Sequence, residues 1–245
     1  MVRRATVLIV ILLAALALVA CGKDSPLDDQ AGPVKEPDST VATNTTTIPP
    51  RSAHDGCEAV AAPTPPATPP AATRSRRRLS PKRRHVATLV TNCGTIRILL
   101  DVKRAPKTTA SFAGLARSGF YDGLTFHRIA KPGGNDYVIQ GGDPLGTGNG
   151  GPGFSVVEAP AKNTRYRRYV VAMAKTQAQA PGTSGSQFFV VTAPDAALPP
   201  DYAILGRVVG DKTAVKRIAA VPTDPTSEAP LDPVVMSSVR ISATG

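Results

Sequence analysis

Tryptophan is missing from the 245 residues, and aromatic side chains of every kind make up only 4% of them. A chain so poor in rings offers few platforms on which unpaired bases could stack. Histidine is scarce too, with three residues at positions 54, 85 and 127, far apart in sequence. The three cysteines, at 21, 57 and 93, form no CxxC pair. The usual zinc-ligand spacings are therefore absent, and neither a metal nor any other cofactor is expected. No apolar run reaches the roughly 20 residues of a membrane-spanning helix; the run over residues 5–20 falls short. Acidic residues number 18 against 29 basic ones, for a formal charge of +11.

Proline, by contrast, is abundant at 24 residues, and the stretch 22–84 holds a large share of them in segments such as APTPPATPPAA. That stretch shows no sustained apolar period of 2 or 3.6, so it reads as an extended linker, partly polyproline II, in which no core forms. Its end, RSRRRLSPKRR at 74–84, carries basic residues and no acidic ones. Such a run can hold anionic polymers; the plainer alternative is a solvated linker. Without interleaved aromatics it does not point to nucleic acid.

Two arginines, the short apolar run and then Leu18-Val19-Ala20-Cys21-Gly22 open the chain. This order fits a signal peptide over 1–20, and its end resembles a bacterial lipoprotein lipobox. That resemblance implies acylation of Cys21 and a mature protein anchored in the cell membrane, facing the extracytoplasmic side. The alternative is an uncleaved membrane anchor. The chain thus divides into a signal peptide (1–20), a linker (21–84) and a globular domain (85–245).

Within the domain, HVATLVT and TIRILLD are β-rich runs joined by a turn at Asn92-Cys93-Gly94. Pro106 starts a helix with Phe112, Leu115 and Ala116 on one face, and Gly119 can end it. LTFHRI, YVIQGG, YVVAMA, SQFFVVT, AILGRVV and VVMSSVRIS read as strands, with a second helix at DKTAVKRIAAV. Many short strands and two helices predict a β-barrel or sandwich. Gly146, Gly148 and Gly151 have GxGxxG spacing, but Pro152 and Gly153 leave no helix to hold a pyrophosphate. This is a loop.

The segment LTFHRIAKPGGNDYVIQGGDP, 124–144, sets His127 beside Arg128 and follows them with Gln140 and Asp143, yet no serine, cysteine or second histidine accompanies them. A nucleophilic triad is excluded. Phe126-His127-Arg128, Gln140-Gly141-Gly142-Asp143, Val171 to Ala174 and Gly185 to Val190, in this order, resemble the cyclophilin family of peptidyl-prolyl cis-trans isomerases, over about 87–242. The resemblance implies a mainly β fold, a closed eight-stranded antiparallel barrel capped by two helices. It implies isomerisation of X-Pro bonds in extracytoplasmic proteins, assisting their folding, with proline-containing segments as partners. It further implies that Arg128 is catalytic and that Gln140 orients it. Phe126, Tyr137, Val138, Ala174, Gln187, Phe189, Leu198 and Tyr202 would line the peptide groove. Lys175 and Thr176 replace a more usual Asn-Ala pair, and Ala197 and Tyr202 stand where many eukaryotic members carry Trp and His. The alternative function is a cyclophilin-like interaction module with little turnover. Once Cys21 is acylated, Cys57 and Cys93 are the remaining thiols, in a compartment that permits a disulfide; two free thiols are the alternative, with Cys93 at an accessible turn.

Overall fold

The computed structural model describes residues 56–244, except 69 and 76. The signal peptide, Cys21 and the first part of the linker lie outside the described residues.

Strands β1 (Arg84–Thr91) and β2 (Gly94–Leu100) form the first hairpin, in which Thr91 faces Gly94. Their alternation is that of a half-buried strand: Ala87 and Leu89 on β1, and Ile96 and Ile98 on β2, are fully buried. Gly94 takes φ +115°, a conformation that side chains rarely adopt, and this allows the tight two-residue turn. Helix α1 (Pro106–Arg117) begins at a proline, and its N-cap residue, Ala105, offers no side-chain acceptor. The carboxylate of Glu158, distant in sequence, supplies the cap instead, accepting from the Lys107 and Thr108 amides at 3.0 and 2.8 Å.

Short strands follow: β3 (Arg128–Ala130), β4 (Val138–Gly141), β5 (Val156–Val157), β6 (Val170–Met173), β7 (Thr183–Ser184), β8 (Phe188–Val191) and β9 (Ile204–Val209). Helix α2 (Thr213–Ala220) and β10 (Met236–Thr244) complete the order. Helix α2 buries Ala214, Val215, Ile218 and Ala219, the face its periodicity predicts. Eight strands pair in the order β10-β1-β2-β9-β6-β8-β4-β3, all antiparallel, while β5 and β7 form a separate pair.

The closed barrel expected from the sequence is therefore a curled half-barrel: β3 and β10, the end strands, do not pair. The outer edge of β3 spends its donors on a loop. Ile129 N–H donates to Glu228 O at 2.8 Å, and Phe126 N–H donates to Val234 O at 2.9 Å. Across the gap, an isolated bridge joins Thr125 with Val235, and Met236 of β10 exchanges backbone hydrogen bonds with Gly123 and Leu124.

The described residues of the Pro-rich segment 57–83 lie in neither helix nor strand. It nevertheless contributes to the core, which the sequence reading did not expect: Cys57 and Leu79 are both buried. Burial of a leucine contributes about 1.5–3 kcal/mol. The segment forms hydrogen bonds with the domain through Glu58 N–H to Asn92 O and Ala72 N–H to Pro152 O. It also passes so close to α1 that a Cβ at Gly114 would lie 2.4 Å from Ser75 Cβ. Cys57 and Cys93 are joined as a disulfide. Cys93, expected to be accessible at its turn, is fully buried, because Cys57 and α2 cover it.

Candidate active site

Arg128, Gln140, Phe189 and Ala172 are direct cross-strand partners on the four adjacent strands β3, β4, β8 and β6. Antiparallel register places such partners side by side, about 5 Å apart from strand to strand. Four residues scattered over 62 positions of sequence thus form one row across the sheet, continued by Ile204 on β9.

The polar end of the row is a directed chain of hydrogen bonds. Arg128 Nη1 donates to Gln140 Oε1 at 3.2 Å, Gln140 Nε2 donates to Gln187 Oε1 at 2.9 Å, and Gln187 Nε2 donates to the carbonyls of Gly148 and Gly150. On its other side Arg128 Nε donates to Glu228 Oε2 at 2.6 Å. The guanidinium is therefore fixed from two directions, and its Nη2 has no partner among the described residues. The glycine loop that ends the chain is itself pinned by Asp143. This carboxylate is buried and accepts from the Leu145 and Thr147 amides at 2.8 and 3.0 Å.

The apolar end of the row is a cluster separate from the barrel interior. Val138, Phe189, Ala172 and Tyr166 are buried in it, and Tyr137, Ala174, Leu198 and Tyr202 pack against them, partly exposed. The Tyr202 ring stands edge-on to Phe189 at 5.5 Å. Tyr166 holds that wall: its hydroxyl donates to Tyr202 O at 2.7 Å and accepts from Tyr202 N–H at 3.0 Å. Burial pushes its phenol up to about 12, so it stays protonated. Lys175 Nζ lies 5.5 Å from the Tyr202 ring centre. Beyond Gln187 a second concavity of about 260 Å³ opens, with Thr176 and Ala174 on its wall.

The structure thus brings together Arg128, Gln140, Gln187, Tyr137, Val138, Ala174, Phe189, Leu198 and Tyr202. Phe126 is the exception. It is fully buried in the barrel interior, 5.8 Å from the Phe188 ring, and supports β3 from beneath instead of lining the groove. His127 is not placed for proton transfer. Both ring nitrogens are shielded and unpartnered among the described residues, and burial lowers its pKa, with Arg128 adding to the effect and Asp143 opposing it. Glu228 was missed by the sequence reading, since an acid in the loop TSEAP carries no local signal. Glycine adopts its φ of +58° without strain, yet the residue is a glutamate with its side chain on Arg128.

If Glu228 orients Arg128, then Glu228→Ala lowers kcat about two- to fivefold with KM little changed, the range of a partly exposed ion pair. Glu228→Gln, which can still accept from Nε, recovers most of the loss. Steady-state kinetics on both variants checks this, and equal defects in the two would refute orientation by hydrogen bonding.

Comparison with known proteins agrees with this geometry. The family model described as cyclophilin type peptidyl-prolyl cis-trans isomerase matches residues 86–241. The chain is 39% identical over 173 residues to peptidyl-prolyl cis-trans isomerase B of Streptomyces anulatus, covering 63% of this chain and 95% of that one. It is 39% identical over 181 residues to peptidyl-prolyl cis-trans isomerase A of Mycobacterium tuberculosis, covering 66% and 95%. Among solved structures, a cyclophilin type isomerase of Cryptosporidium parvum superposes with a TM-score of 0.59 at 29% identity, covering 66% of this chain and 99% of that one. On the matched residues and the row that runs from Arg128 to Ala172, this chain belongs to the cyclophilin-type peptidyl-prolyl cis-trans isomerase family.

Proposed function

We propose that the domain is a working peptidyl-prolyl cis-trans isomerase, acting on proline-containing segments of extracytoplasmic proteins as they fold. The observation that carries this reading is the row in which Arg128 and Gln140 stand beside Phe189. Rotation about an X-Pro bond faces a barrier of about 18–20 kcal/mol because the nitrogen lone pair is delocalised into the carbonyl. A cation that hydrogen-bonds the prolyl nitrogen draws the lone pair out of that resonance and favours the twisted state. Arginine suits the task, as its donors form a rigid fork. With Nε held by Glu228 and Nη1 by Gln140, the remaining donors are oriented before the peptide arrives. The cluster around Phe189 and Leu198 takes the proline ring. No covalent bond forms or breaks, which is why the site needs no nucleophile. A protease-coupled assay with cis-proline peptides tests the reading; absence of turnover by folded protein would overturn it.

The place of action rests on the sequence. The lipobox-like end at Cys21 supports a lipid-anchored protein of the cell membrane. The described charges of the basic run, Arg74, Arg77, Arg78, Lys82, Arg83 and Arg84, are exposed, which suits contact with anionic envelope polymers. Two or more acyl chains anchor a protein stably where one is marginal. Cys21→Ala is therefore expected to prevent lipidation and leave an unprocessed or differently processed precursor. Mass spectrometry of the natural N-terminus decides: an uncleaved chain starting at Met1 or Val2 rejects the lipoprotein reading.

A further inference from the structure

An open pocket of about 920 Å³ lies on the domain away from Arg128, which does not line it. Six cations stand on its wall: Arg104, Arg165, Arg167, Arg168, Arg207 and Lys212. The wall has two acids, and both are already engaged. Asp101 binds Arg104 at 2.6 Å, and Glu158 caps the N-terminus of α1. Arg165, Arg167 and Arg207 are exposed and form no ion pair among the described residues. The pocket thus keeps an uncompensated positive field in a concave site, where field lines are focused.

Its position says what would fill it. Ile204 lies on the pocket wall and also packs on the proline-ring cluster, and it is the cross-strand partner of Ala172 in the catalytic row. Val170, two residues before Ala172, also lies on the wall and pairs with Arg207. At about 5 Å between strands and 3.3 Å per residue along them, Arg207 stands on the order of 12 Å from Phe189. An extended peptide covers that distance in roughly three to five residues. The pocket and the proline-ring cluster thus share two residues, Val170 and Ile204.

We propose that this basic pocket is an exosite for acidic stretches of the same polypeptide whose proline is being isomerised, Asp/Glu clusters about three to five residues from it. The proposal rests on the isomerase reading above and adds a substrate class to it: the enzyme prefers prolines flanked by acidic segments. A free phosphate polymer shares the charge chemistry but carries no proline for the neighbouring cluster.

The experiment compares two sets of proline peptides, identical except for three Glu or three Gln placed four residues from the proline, on either side. With the full chain at low ionic strength, the Glu peptide is expected to have about a three- to tenfold higher kcat/KM on one side, from two or three partly exposed ion pairs. Moderate salt should erase the preference. The combined Arg165→Ala, Arg167→Ala and Arg207→Ala variant should turn over the Gln peptide normally and lose the preference. A ratio near one on both sides, or a preference that survives the triple variant, overturns the exosite. If neither peptide is turned over, the isomerase reading falls instead. The exosite is then decided by anisotropy of the labelled peptides, which must bind the parent protein more tightly with Glu than with Gln and lose that difference in the triple variant. Binding of inorganic polyphosphate at these arginines, without such binding of the Glu peptide, also overturns the proposal.

Discussion

Arg128→Ala is expected to lower kcat/KM for X-Pro isomerisation by about 10²–10³, the cost of removing an aimed electrostatic donor from a preorganised site. The fold should survive. The arginine side chain is 37% exposed and Glu228, its partner, is 29% exposed, so truncation leaves a carboxylate that water can reach. Arg128→Lys should also be impaired, because an ammonium cannot meet Glu228, Gln140 and a prolyl nitrogen with one planar fork. The measurement is the protease-coupled rate, with circular dichroism as the control for folding. A folded Arg128→Ala protein of undiminished activity would sink the catalytic assignment.

Cys57→Ser, or reduction of the natural protein, is expected to cost up to roughly 3–4 kcal/mol, the chain-entropy value for a closed loop of this length; the two cysteines are 36 residues apart. The loss has a second, local part, because the segment that carries Leu79 is tied to the domain through this link and a few hydrogen bonds. Freed, it would uncover Cys93 and part of α2. Denaturant titration with and without reductant gives the stability change, and the isomerase rate should move far less than the midpoint, as neither cysteine touches the Arg128 row. Thiol labelling of the unfolded, unreduced chain supplies the independent check: reactive thiols at both 57 and 93 would rule out the link.

Much of the site was legible because its signals are local. FHR, QGGD and GSQFF each lie on one strand and its approach, so Arg128, Gln140, Gln187 and Phe189 could be picked from the chain. Phe126 was misassigned. The resemblance placed it with the groove residues beside Arg128, but the chain approaching β3 turns the ring into the barrel. Glu228 could not be found at all. Its contact with Arg128 spans 100 residues and depends on a loop laid along the edge of β3.

By itself, the sequence determined the strands of the large sheet, the two helices and their buried faces, and the family motifs that carry the groove residues. Period-2 and period-3.6 apolar patterns and turn residues are properties of neighbouring positions, and each acts wherever the chain goes. Only the tertiary structure decided that the sheet stays open at β3 and β10. The donors there can be satisfied by either a strand or a loop, and only the path of 222–236 chooses. The same holds for the Pro-rich segment. Its composition forbids a core of its own, yet a disulfide, a few hydrogen bonds and one buried leucine hold it on another's. Register, finally, set Arg207 and the basic pocket next to the catalytic row, since cross-strand partners are chosen by pairing across the sheet and not by distance along the chain.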